Sequence, residues 1–440
     1  MTISEIKTLL RENGIVGAGG AGFPTYAKLD TKADTIILNC AECEPLLRLH
    51  RQLLKMYTHE ILSTLNLISN IVGAKKVYVG IKGSYKRTLE AVEQEIASFK
   101  NMQICRLPEV YPAGDEVVLT YEATGRVVPA GEIPLSVGVT VLNVETVYNI
   151  YRALNGQPVT HKYVTITGEV KNPITVYAPI GITLKELINL AGGITIEDPA
   201  YIIGGPMMGT LGNTSQCVTK TTNAVIVLPK NLALVQKKLS KPKVDIKRAM
   251  AACCQCNYCT SLCPRNLLGH PIEPGEFMLV ASNSITKNTK PYVNSMFCSG
   301  CGLCELYSCG QGLSPRTLIG AVKGELRAAG IKMPKAKTGK VDSARPYRMI
   351  PLSRLRSRLG LDPYNKSAPV LEQEVKTNRL NIYLNQHIGA PAVPVVKKGD
   401  KVLAGQKVAA PKENALSVAI HSAFSGTVAE VTDRKITINI

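Results

Sequence analysis

The spacing of apolar residues changes character along this chain. Near the N-terminus Ile3, Ile6, Leu9 and Leu10 recur at helical intervals between polar positions, predicting an amphipathic helix of mixed charge. Strand-type apolar runs such as Thr35 to Leu38 then alternate with helical patterns to about residue 155, as in an α/β domain. From Lys162 the period shortens: Tyr163 to Thr167 alternates, Gly168 and Glu169 turn, and Ile174 to Tyr177 alternates again. Thr183 to Leu190 returns to helical spacing and stops at Gly192 and Gly193, which predicts a strand–strand–helix–strand order. The last eighty residues are β-rich. No apolar run approaches the roughly 18 residues of a membrane span. The N-terminus lacks the basic end, apolar middle and small-residue cleavage site of a secretion signal. The expected setting is cytoplasmic, with no transmembrane segment.

Composition adds the chemistry. A length of 440 residues, 45% apolar, fits two to four domains and excludes a disordered or collagen-like chain. Cysteine occurs 13 times and tryptophan never. Disulfides are uncommon in a reducing compartment, so these thiols call for metal, redox chemistry or burial. Eight of them fall between Cys253 and Cys309. Cys253, Cys256, Cys259 and Cys263 follow C-x2-C-x2-C-x3-C with Pro264 next, the bacterial ferredoxin run for a 4Fe–4S cluster. In that run the fourth cysteine serves the other cluster. Cys298, Cys301 and Cys304 repeat the two-residue gaps, but Cys309 follows after four residues and without proline. The expected ligand sets are Cys253, Cys256, Cys259 and Cys309 for one cluster, and Cys263, Cys298, Cys301 and Cys304 for the other. Structural zinc is the alternative, although zinc sites use paired C-x2-C knuckles set further apart. Two one-electron carriers imply electron transfer. Cys254 reads as a bystander, and Cys40, Cys43, Cys105 and Cys217 as small buried residues. Cys40 and Cys43 form a C-x-x-C without a thioredoxin context.

A glycine-rich segment follows the first helix, with Gly14, Gly17, Gly19, Gly20 and Gly22 ahead of Phe23 and Lys28. Such a backbone exposes N–H groups to an anion, so a phosphate cradle and a plain turn both fit it. No strand precedes it as in a dinucleotide fingerprint, and no GK[S/T] follows as in a P-loop. Further along lie N-x-x-E-x-E-P from Asn39 to Pro45, Y-P-x-G-x-E from Tyr111 to Glu116, and N-V-E-T from Asn143 to Thr146. With GGAGFPTxxK and the ferredoxin run, these motifs span most of residues 10 to 310. In them the chain resembles the flavin subunit of respiratory complex I, the Rnf electron-transport C subunit and, above all, the cobalamin reductases of propanediol-utilisation microcompartments.

That resemblance implies FMN against the glycine loop and NADH stacking on its exposed face. By motif position Gly17, Gly19, Gly20 and Lys28 would line the FMN phosphate and ring. Asn39, Glu42, Gly114, Asp115, Glu116 and Asn143 would complete the pocket. Phe23, Glu44 and Tyr111 would lie where the nicotinamide or adenine packs. Complex I has arginine where this chain has Ala18, and aspartate where it has Ala41, departures that touch NADH recognition more than FMN. A flavin accepts hydride and releases single electrons, so it suits the junction between NADH and clusters. No catalytic acid or base is assigned.

The same resemblance makes the strand–strand–helix–strand segment an SLBB-type β-grasp module, either a ligand binder for the corrin or a spacer. The C-terminal β-rich segment resembles the barrel-sandwich hybrid of biotinyl and lipoyl domains. Lys412 is the lone nearby lysine and lacks a Met-Lys-Met setting, so no covalent cofactor is expected. The domain expectation is therefore multidomain α/β and α+β. It comprises an FMN/NADH domain at 1–155, a β-grasp domain at 156–235, a helical ferredoxin-type domain at 245–325, a basic linker at 326–364 and a barrel-sandwich at 365–440. Of the net charge of +19, much gathers at 231–249 and 323–358, beside the cysteines. No aromatic platform accompanies it, so nucleic acid is not an expected partner, and a solvated linker or a dock for an acidic partner is. None of the six histidines is assigned a role.

The function expected is NADH-dependent reduction of cobalamin, from cob(III)alamin to cob(II)alamin and on to cob(I)alamin, supporting a B12-dependent diol dehydratase. An adenosyltransferase or microcompartment shell proteins are the expected partners, inside a microcompartment. The rivals are an Rnf-like input subunit feeding ferredoxin or membrane flavoproteins, and a microcompartment wiring scaffold without flavin.

Overall fold

A computed structural model describes residues 1–335 and 337–440. Thr2 and Glu5 cap the first helix reciprocally, and α1 (Ile3–Glu12) buries Ile6 and Leu10. Four parallel strands follow: β1 (Thr35–Cys40), β2 (Lys76–Lys82), β3 (Met102–Leu107) and, after a two-residue β4 (Val110–Tyr111), β5 (Val139–Asn143). The sheet order is β3-β2-β1-β5. Central strand β1 is covered on both faces, which is why it reads as a continuous apolar run. Helices α2 (Leu49–Met56), α3 (Thr58–Val72), α4 (Lys86–Ile96), α5 (Glu116–Thr124) and α6 (Val144–Leu154) complete the layers. The chain steps outward from β1 to β3, then returns to β1's other side. The switch point therefore lies between the carboxyl ends of β1 and β5, where open α/β sheets bind ligands.

The expected strand–strand–helix–strand is β6 (His161–Gly168), β7 (Ile174–Pro179), α7 (Leu184–Leu190) and β8 (Pro199–Ile203). With β9 (Thr210–Gly212) and β10 (Ala224–Pro229) they form one sheet. Its outer edge is Val370–Leu371, paired parallel to β7. Those two residues lie beyond the expected start of the C-terminal domain, yet their backbone belongs to the β-grasp sheet. A buried ion pair between Lys162 and Glu145 of α6 fastens this domain to the first.

The cysteine-rich segment is helical. Helices Pro242–Ala252, Pro274–Ser282 and Pro315–Ala328 each open on proline and pack around Phe277, Leu318 and Ile319. The basic stretch after it is not a solvated linker over its whole length. Thr338 accepts the Ala130 N–H at 2.8 Å, and the Asp342 N–H reaches the Leu267 carbonyl at 3.0 Å. Arg345 is buried against Glu122 with its guanidinium 4.8 Å from the Tyr121 ring centre. Ile350–Pro351 then pairs with β4. Ion pairing and strand pairing thus convert a charged run into a strap. The C-terminal residues form two small sheets around Leu380, Val408, Val428 and Ile438. Among the described residues no helix is long and apolar enough to cross a membrane.

Candidate functional site

A cavity of about 320 Å³ occupies the switch point. Nine of the thirteen residues expected around the flavin line it: Gly17, Gly19, Gly20, Phe23, Lys28, Asn39, Gly114, Glu116 and Asn143. The loop is pinned at its start, where the Gly17 N–H donates to the Phe23 carbonyl at 2.9 Å. The Ala18 N–H donates to Thr146 Oγ1 at 3.0 Å, and a Cβ at Gly19 would stand 2.4 Å from Asn143 Nδ2. Asn39 donates to the Gly114 carbonyl at 2.9 Å, joining β1 to the turn before α5. Asp115 and Asn143 cap α5 and α6, so two helix N-termini open on the cavity rim, a setting that favours anionic groups. Lys28 Nζ is paired with Glu116 at 2.6 Å and also donates to the Val141 carbonyl at 3.3 Å.

Three residues of this site were not assigned from sequence. Thr25 Oγ1 is buried in the wall and has no hydrogen-bond partner among the described residues. His50 lies behind the loop, 3.1 Å from Asn143 Nδ2, and burial lowers its pKa so the ring is neutral. Thr146 holds the loop as described. Thr25 and Thr146 stood inside the quoted motifs and His50 stood in none. An orphaned buried hydroxyl, a glycine loop and two helix N-termini fit a phosphorylated flavin such as FMN.

The other four expected residues face elsewhere. Glu42 is buried and accepts the His50 N–H at 2.8 Å, capping α2. Glu44 accepts the N–H groups of Met207 and Met208 at 2.7 and 2.9 Å, a strut to the β-grasp domain. Burial raises its pKa, partly offset by those N–H donors. The Tyr111 hydroxyl donates to the Cys301 carbonyl at 2.6 Å, and Asp115 pairs with Arg265 at 2.8 Å. One turn, residues 111 to 116, therefore presents Gly114 and Glu116 to the cavity, and Tyr111 and Asp115 to the cysteine segment.

The cysteines gather in two sets. Cys253, Cys256, Cys259 and Cys309 line one small cavity of about 30 Å³, with Cys254 exposed at its edge. Cys298 lies close enough to Cys263, Cys301 and Cys304 to help raise their thiols, and Cys263 does the same for Cys301 and Cys304. Gln255, Asn257, Gly300 and Gly302 take left-handed backbone, so each two-residue gap curls its loop. Burial first, then neighbouring sulfurs, pushes Cys259 and Cys263 up to about 11 and Cys301 to about 12. Such thiols stay protonated until a cation sits among them, and a polynuclear iron core reverses that balance. N–H groups of Gly300 and Leu313 donate to Cys298 and Cys309 sulfur, both at 3.3 Å. All-sulfur donors with N–H···S bonds fit iron–sulfur chemistry. Among the described residues no three His, Cys, Asp or Glu side chains gather about a single metal ion. Cys40 and Cys43 are unpaired thiols, and burial pushes Cys43 up to about 12.

The fold and both sites define a modular flavin and iron–sulfur electron-transfer protein. Family models agree in chain order: the Nuo51 FMN-binding domain over residues 10–152, the SLBB domain over 163–211, the 4Fe-4S dicluster domain over 252–314 and the RnfC barrel sandwich hybrid domain over 362–439. The chain is 39% identical to cobalamin reductase PduS of Citrobacter freundii, over 98% of this chain and 96% of that protein. It is 34% identical to the C component of the Na+-translocating ferredoxin:NAD+ oxidoreductase complex of Acetobacterium woodii, over 63% of this chain and 61% of that one. A solved NAD+-reducing NiFe hydrogenase in the H2-reduced state is similar at a TM-score of 0.49 and 18% identity, covering 82% of this chain and 67% of that one. The chain belongs to the PduS cobalamin reductase family.

Proposed function

We propose that the chain is an NADH-dependent reductase that delivers electrons singly to cobalamin, taking cob(III)alamin to cob(II)alamin and onward to cob(I)alamin. The observation that carries this reading is the turn at 111–116, which is wall to the flavin-type cavity on one side and anchor to Cys301 on the other. Bound FMN supplies the exchange between two-electron hydride and one-electron carriers. Gly17, Gly19, Gly20, Thr25, Lys28, Asn39, Gly114, Glu116 and Asn143 hold it, and His50 supports them from behind. The two cysteine sets each hold one 4Fe–4S cluster, with Cys263 crossing to the second set and Cys309 to the first. Phe23 serves the nicotinamide side of the cavity. Action inside a microcompartment, beside an adenosyltransferase and shell proteins, belongs to the same reading.

The test is anaerobic: flavin- and cluster-loaded protein, NADH and aquacobalamin, with cob(II)alamin followed by absorbance. Reduction that requires NADH, flavin and clusters together supports the reading. No cobalamin reduction with both cofactors intact overturns it, and reduction by dithionite but not by NADH overturns its NADH part.

A further inference from the structure

A second cleft, of about 450 Å³, opens between the end of α2 and the β-grasp sheet, within the range of small-molecule sites. Its floor is aromatic. Tyr57 at the end of α2, Tyr163 of β6 and Tyr177 of β7 line it, the last two with ring centres 4.6 Å apart. Behind Tyr57 stands Tyr148 of α6, stacked at 4.1 Å. His161 closes one end, stacked on Tyr177 at 4.8 Å and edge-on to Phe424 at 5.9 Å. Its Nδ1 is engaged by Thr160 Oγ1 at 2.8 Å, which leaves Nε2 for a ligand, and burial keeps the ring neutral by lowering its pKa to about 4. The rim is rich in acceptors, with Glu372, Gln373 and Glu374 exposed along the segment after the edge strand. Arg152, over the Tyr177 ring at 4.8 Å, supplies one cation beside it.

We infer that this cleft binds the corrin of cobalamin, a site no family match assigns; the inference rests on the proposed function. The chemistry is complementary part by part. A corrin has apolar surface between its amide arms, which packs against the rings of Tyr57 and Tyr163. Its edge carries primary amides whose N–H groups need acceptors, and the carboxylates and the Gln373 carbonyl are acceptors. Its nucleotide tail carries one phosphodiester, which Arg152 matches. Position agrees as well. Helix α2 runs eight residues from behind the glycine loop to Tyr57, so the cleft lies about 12 Å of helix from the flavin-type cavity.

Equilibrium dialysis of aquacobalamin against the oxidised, flavin- and cluster-loaded full chain tests this. His161→Ala and Gln373→Trp are each expected to weaken binding about 10-fold or more, as obstruction or truncation at the centre of a contact surface does. Flavin content, iron content and melting temperature are measured in each variant. Gln373 is exposed, so an indole there blocks the cleft without entering the core. Wild-type affinity in both variants makes the tyrosines mere packing between domains and overturns the inference. A loaded wild type that neither binds nor reduces cobalamin overturns the proposed function itself, so the two failures are distinguishable.

Discussion

Lys220 gives the sharpest quantitative prediction. Its side chain is fully buried where three domains meet, and its Nζ donates to the carbonyls of Gly14 at 2.8 Å and Ala419 at 2.6 Å. Among the described residues no carboxylate pairs with it, and burial lowers its pKa from the ordinary 10.5 to about 7. An unfolded lysine binds its proton below about 10.4, while the folded one waits until about 7. Between those limits the unfolded state holds more protons, so this residue makes stability rise with pH across that window. At about 1.36 kcal/mol per pH unit the full effect is on the order of 5 kcal/mol. For 440 residues unfolding as one unit this moves the melting temperature by about 5 °C. Lys220→Met keeps the chain's volume and removes the titration, at a constant cost for two carbonyls left without a donor. Thermal melts from pH 7 to 10 should show the wild type gaining several degrees on the variant as pH rises. Buried thiols titrate over the same range in both proteins, so the difference isolates the lysine. Parallel curves would refute the reasoning.

Three further outcomes follow from the same contacts. Gly19→Ala drives a methyl group to within 2.4 Å of Asn143 Nδ2, so reconstituted protein should lose most of its flavin absorbance while iron content stays at the wild-type level. Thr25→Val removes a hydroxyl that has no partner among the described residues, so the melting temperature should hold while FMN affinity, read by fluorescence titration, falls about 5- to 10-fold for one lost hydrogen bond. Tyr111→Phe leaves the Cys301 carbonyl without its donor, costing about 1 to 2 kcal/mol in urea unfolding. It should also shift the electron paramagnetic resonance signal of only one of two clusters, and equal change in both would contradict the ligand sets.

How much of this was legible beforehand varied with the range of the interaction. The cysteine spacing is local, and both expected sets are close in space. The glycine loop and its flanking motifs were likewise enough to find the cavity. What a motif residue touches was not legible. Glu42, Glu44, Tyr111 and Asp115 sit close in sequence to cavity residues. On strands and tight turns neighbouring side chains point apart, so these four reach α2, the β-grasp domain and the cysteine segment instead. His50 was invisible because its partner Asn143 lies 93 residues away. The basic stretch holding Arg345 reads as a solvated linker or a dock for an acidic partner, because Glu122, which Arg345 pairs with, lies 223 residues away. The edge strand at Val370–Leu371 has two residues, too few to show any period.

The glycine loop also has a history written into its contacts. Its first carbonyl, Gly14, is held by Lys220, its Ala21 carbonyl accepts the Ile388 N–H at 3.2 Å, and Gly22 abuts Thr221 and His387. A ribosome makes the loop before it makes these supports. Until the supports are made, the flavin domain has the residues of its sheet and helices but an unbraced glycine loop. The brace on the loop is therefore complete only once the C-terminal domain has docked. A polypeptide broken off before residue 388 keeps every flavin motif and lacks part of the brace that sets them.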